Sequence, residues 1–202
     1  MSIHLAKDLR SFFQEEVTLT ASKQGLDLSP TASQYLASVL TKFTDARNLL
    51  QVEDNQKHSY PTLALMWLEG LHKSFSEQLF HMQHLGDVAL FTSGFFGEKI
   101  QNSAVDMDYY IAMGGRAYET AGKIRESIAA ERQLNIYFEL ASNFKECVEL
   151  FSELSDKSML GSDQGLLKLY QKWLESRAPR LNRMLNEAGV IAASGNSDPA
   201  KD

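Results

Sequence analysis

From Leu85 to Gly97 the chain is almost entirely apolar, and Asp87 is its only ionisable side chain. Phe91, Phe95 and Phe96 supply most of the volume, with Gly86, Gly94 and Gly97 between and beyond them. A carboxylate in such surroundings must either reach water at the edge of the stretch or be held by a partner, because an unpaired buried charge is very costly. If residues 85–96 are helical, the helix is apolar nearly all round, which places it at the centre of a helical assembly. This stretch, and the polar-aromatic run that follows to Tyr118, organise the reading of the rest.

The remainder of the chain is amphipathic with helical spacing. Leu5, Leu9, Phe12, Phe13, Val17 and Leu19 form one stripe, stopped by Gly25. Ser29-Pro30 starts a second helix, since serine caps and proline is tolerated at the first helical position. Its stripe runs Tyr35, Leu36, Val39, Leu40, Phe43 and Ala46. Residues 51–59 read as a polar loop, and Tyr60-Pro61 opens a third helix through Leu63, Gly70, Leu71, Phe75, Leu79, Met82 and Leu85. That helix either continues past Gly86 or bends there.

Ser103 and Asp106 resemble a capping box ahead of a helix over about 104–128. Gly114, Gly115 and Gly122 in its interior each cost about 1 kcal/mol relative to alanine. Close approach of a neighbouring helix, or space for a ligand, has to offset that. A long periodic segment spans 131–158, and two shorter helices follow, separated at Pro179. The pattern predicts an all-α, single-domain bundle of six or seven helices over residues 1–190, with a flexible polar tail at 191–202.

Composition narrows the function classes. The 202 residues are enough for one domain, and 44% apolar with 23% charged residues is an ordinary globular balance. A net charge of −6 gives no general attraction to nucleic acid or anionic membrane, so neither is expected as a partner. No stretch approaches the ~18 apolar residues of a membrane span, and the charged N-terminal segment lacks the apolar region of a signal peptide. The single cysteine, Cys147, forms no intramolecular disulfide and lies on an apolar stripe without an activating neighbour. A cytoplasmic protein is expected.

Three groups of residues could carry chemistry. Glu77, His81 and His84 fall at i, i+4 and i+7 with Asp87 one turn beyond, a donor set that suits zinc or iron. Their face lies well away from the apolar stripe, which favours a solvated polar surface over a metal site. The second group is Asp87 with Asp106, Asp108, Tyr109, Tyr110, Arg116 and Tyr118. It reads as a polar ligand pocket in which Arg116 clamps an anion, or as structure, with Asp87 paired to Arg116 or a tyrosine hydroxyl and the later aspartates as caps. The third is a basic run, Lys168, Lys172, Arg177, Arg180 and Arg183, suited to an acidic partner or simply to solvent. Phosphate-binding loops, nucleophile elbows and zinc-protease motifs do not occur.

The sequence Leu85-Gly86-Asp87, Leu90-Phe91, Gly94-Phe95-Phe96, then Val105-Asp106, Asp108-Tyr109-Tyr110, Met113-Gly114 and Ala117-Tyr118 resembles that of a group of bacterial hypothetical proteins. The resemblance implies a bacterial cytoplasmic protein and carries no activity with it. The reading therefore favours a non-catalytic binding or regulatory module without a cofactor. Its candidate ligand residues are Asp87, Asp108, Tyr109, Tyr110, Arg116 and Tyr118, its partner a small anion or a protein segment. A homodimer through an apolar face such as Phe95-Phe96 fits the same composition. The rival is an enzyme, metal-dependent or acid–base, using His81, His84 and Asp87.

Overall fold

The computed structural model describes residues 2–44, 62–97, 100, 106–128, 135–159 and 163–187. Among the described residues there are nine helices and no strand. The expected loop at 51–59, the Tyr60-Pro61 start, the Ser103 cap and the tail at 191–202 lie outside them.

Helix α1 (Ser2–Gln24) ends at Gly25, whose φ of 69° turns the chain. The Leu26 N–H then bonds to the Ala21 carbonyl and the Gly25 N–H to that of Ser22, the paired closure that a left-handed glycine permits. Helix α2 (Pro30–Phe43) begins as its sequence predicts, with the Ser29 hydroxyl accepting from the Ala32 N–H at 3.1 Å. The single helix expected from Tyr60-Pro61 onward is instead two, α3 (Leu63–Leu71) and α4 (Phe75–Phe95). The break falls where Ser74 donates both its N–H and its hydroxyl to Glu77, a helix-start signal inside the periodic run. Past that point α4 continues through Gly86 to Phe95.

Helix α5 (Met107–Ile128) is capped by Asp106, whose carboxylate accepts from the Tyr109 N–H at 2.9 Å. The long segment expected over 131–158 is also divided, into α6 (Ile136–Ser142) and α7 (Phe144–Met159). Asn143 interrupts it, its side-chain amide donating to the Glu139 carbonyl at 2.9 Å, since asparagine competes with the backbone for helical hydrogen bonds. Helices α8 (Asp163–Ser176) and α9 (Pro179–Glu187) complete the chain. These two breaks account for nine helices where six or seven are expected.

The lack of any linker predicts one domain through residue 190; the helices group into two compact units, residues 1–154 and 155–202. In the first, every residue of α4 from Leu85 to Phe91 is buried, and α4 packs most extensively against α5. The glycines report how close the helices come. A Cβ on Gly86 would stand 2.5 Å from the Tyr118 ring, and one on Gly114 would overlap the Phe144 ring. Close packing, not room for a ligand, is therefore what Gly114 supplies. Phe95 and Phe96 pack inward, Phe95 stacking on Phe91 at 4.5 Å and meeting Phe151 edge-on at 6.1 Å. The second unit has its own core of Leu169, Trp173, Leu181, Met184 and Leu185.

Candidate functional site

Asp87 lies in the first unit where α2, α4 and α5 meet, with its side chain 3% exposed. Tyr35 of α2 donates to Oδ1 at 2.6 Å and Tyr118 of α5 donates to the same oxygen at 3.0 Å. The Lys42 ammonium, also on α2, donates to Oδ2 at 3.2 Å. Tyr35 and Lys42 stand seven residues apart, two turns on one face, so one helix presents both. The carboxylate meets three donors, the environment that suits its ionised form.

Lys42 also lies 3.1 Å from His84 Nδ1. An ammonium has no lone pair to offer, so Nδ1 is the acceptor and the ring proton sits on Nε2. Burial, then the Lys42 charge and then His81, lower the His84 pKa to about 4. Burial raises the Asp87 pKa, against the opposing pull of Lys42 and the two hydroxyls. Burial, and next the neighbouring Asp87, also push the Tyr35 and Tyr118 hydroxyls well above their ordinary range. Tyr137 completes a cage of rings, meeting Tyr35 edge-on at 5.9 Å and stacking with Tyr118 at 6.2 Å, while its hydroxyl donates to Gln83 at 3.0 Å. The phenols are thus fixed as neutral donors. Their protons are committed to internal acceptors, and the two hydrogen bonds to Asp87 join α2 and α5 to α4.

Of the six ligand candidates, the structure brings together Asp87 and Tyr118. Arg116 is exposed, because two residues along a helix turn a side chain about 200° away from Tyr118. The cation facing Asp87 is Lys42, which replaces the expected Arg116 pairing. Tyr109 and Tyr110 are half-buried and edge-on to each other at 5.8 Å, at the start of α5, with Tyr110 about 12 Å along the axis from Tyr118. Asp108 is exposed there as well. Sequence reasoning missed Tyr35, Lys42 and Tyr137. A lysine within the apolar stripe of α2, at i+3 from Val39 and i+7 from Tyr35, was the available signal.

The metal candidates are separately engaged. Glu77 accepts from Ser74, His81 Nε2 donates to the Met66 carbonyl at 2.5 Å, and His84 accepts from Lys42. Among the described residues no three His, Cys, Asp or Glu side chains are grouped to hold a metal ion. Cys147 is buried, and burial with nearby Glu146 and Glu139 pushes its thiol up to about 12, away from nucleophilic use. In the basic run, Lys172 and Arg180 bind the buried Asp156 at 2.8 and 2.7 Å, and Arg177 covers the Trp173 ring at 4.6 Å. Lys168 and Arg183 are exposed. Among the described residues no helix is long and apolar enough to cross a membrane. Comparison with family models, curated proteins and solved structures yields no match.

Proposed function

We propose that this chain is a non-catalytic helical binding module and that its recognition surface is the outward side of α3. One observation carries the reading: α3 is apolar on both sides. Leu63, Met66 and Gly70 are buried on its inner side, and Gly70 admits Met82 and His81 so closely that a Cβ would fall 2.7 and 2.8 Å from them. Leu65, Leu68 and Leu71 point the other way and are 55%, 53% and 50% exposed. Single exposed leucines need no explanation, but three at i, i+3 and i+6 form a continuous stripe. A helix with apolar side chains on two faces ordinarily has both faces covered. Phe75, 69% exposed, follows directly after the turn.

The Asp87 group supports this reading by what it does. Its hydrogen bonds tie α2, α4 and α5 into a fixed platform, and α3 packs on α4 of that platform. Burying a charge there has no evident chemical use, but it fixes the register of three helices. The test is binding of an apolar fluorescent dye, anilinonaphthalene sulfonate, to the dilute native protein. The expected result is dye binding that falls at least about fivefold in Leu65→Gln/Leu68→Gln, with the melting temperature unchanged, as befits exposed positions. Absence of dye binding, or variants that unfold, overturns the proposal.

A further inference from the structure

We infer that the partner of the α3 face is a second copy of this chain, with the two α3 helices crossing antiparallel about a two-fold axis near Leu68. The inference rests on the reading of that face given above and adds the identity of what covers it. The spacing is self-complementary: with Leu68 on the axis, Leu65 of one copy lies on Leu71 of the other, and Leu68 meets its own counterpart. Among the described residues the rim carries both signs, since Glu69, Lys73 and Glu77 are all exposed beside or just past the stripe. A strongly acidic or basic partner would find no matching field there, whereas an identical surface brings both signs to the contact.

Size agrees with a weak, reversible pair. The exposed parts of Leu65, Leu68, Leu71 and Phe75 amount to roughly 500 Å² on each copy, so a pair covers about 1,000 Å², the lower bound for a specific interface. Interfaces at this lower bound belong to the weak, transient class, while affinity itself is set by how well the leucines pack and not by area. The Phe95-Phe96 corner is a poorer seat, because both rings already pack on the core of their own chain.

Sedimentation equilibrium of the full chain from about 1 µM to about 1 mM tests this. Wild type should pass from monomer to dimer across that range. Leu68→Glu and Leu68→Lys should each stay monomeric, since like charges would meet on the axis. Mixing the two variants should restore pairing, because opposite charges then face each other. A wild type that stays monomeric throughout, or a Leu68→Glu chain that still pairs, overturns the inference. Binding of the monomer to neutral phosphatidylcholine vesicles would assign the face to a lipid surface and overturn it as well. The dye separates the two levels: monomeric wild type that binds dye through Leu65 and Leu68 loses the dimer but keeps the recognition face, while monomeric wild type that binds none loses both.

Discussion

Asp87 and Asp156 are both shut away from water, with side chains 3% and 0% exposed, yet the groups that face them differ in kind. Asp87 is met by one ammonium and two phenols; Asp156 is met by two cations, Lys172 at 2.8 Å and Arg180 at 2.7 Å. The first sits inside a large aromatic core, where packing fixes neutral hydroxyls in place and lets them share the work of holding a charge. The second belongs to a unit with a small core, where full charge compensation from α8 and α9 joins those helices to the last turn of α7. A large core can position weak donors accurately; a small one relies on strong ones.

The sharpest way to break the contrast is Lys42→Met, which removes the one cation hydrogen-bonded to Asp87 among the described residues and leaves the two phenols. Urea unfolding should show a loss of about 3 kcal/mol, toward the low end for a broken buried pair because Lys42 is 38% exposed. Adding Asp87→Asn to that variant should restore most of the loss. A cost below about 0.5 kcal/mol for the single change would show that the phenols alone suffice. Asp156→Asn comes next, at about 2 kcal/mol, because its cations are about a quarter exposed and can turn to water. Hydrogen exchange should quicken in α8 and α9 and stay unchanged in α4 and α5; equal loosening of both sets would contradict the division into two units.

The smallest effect is a pH dependence peculiar to the Asp87 group. His84 has a folded pKa lowered to about 4 from 6.5, so its contribution is fully present above about pH 6.5 and is lost as pH falls toward 4. Asp87 has a raised folded pKa and acts in the opposite sense, adding stability as pH falls through that raised value toward the unfolded one. The two partly cancel. In His84→Gln the loss between pH 6.5 and 4 should shrink, as read by thermal unfolding at a series of pH values. An unaltered profile would mean that His84 does not titrate against Lys42.

Much of this architecture was legible in the residues and some was not, for identifiable reasons. The stop at Gly25, the Ser29-Pro30 start and the burial of the Leu85–Phe91 stretch follow from spacing and capping chemistry. The breaks at Ser74 and Asn143 were hidden because the apolar period runs across both, and a side chain competing for backbone hydrogen bonds leaves no mark on that period. Asp87 stands out as the lone ionisable side chain of its apolar stretch and Tyr118 belongs to the polar-aromatic run after it, and the structure brings these two together. Lys42 was passed over because it lies on another helix, 45 residues away, and single-chain spacing does not reveal which helices become neighbours. Arg116 was drawn in by closeness in sequence, although half a helical turn separates it from Tyr118.

Glu139 of α6 accepts both the backbone N–H and the hydroxyl of Ser29, at 2.6 and 2.7 Å, across 110 residues of chain, and Glu153 of α7 accepts from Gln24 at 2.9 Å across 129. During synthesis the first two helices therefore leave the ribosome well before the groups that secure their junction. These two contacts close long loops, and contacts of high sequence separation form slowly. A nascent chain halted before α6 would lack the acceptors that fasten this corner, so the last two helices to enter the first unit supply the groups that secure its beginning.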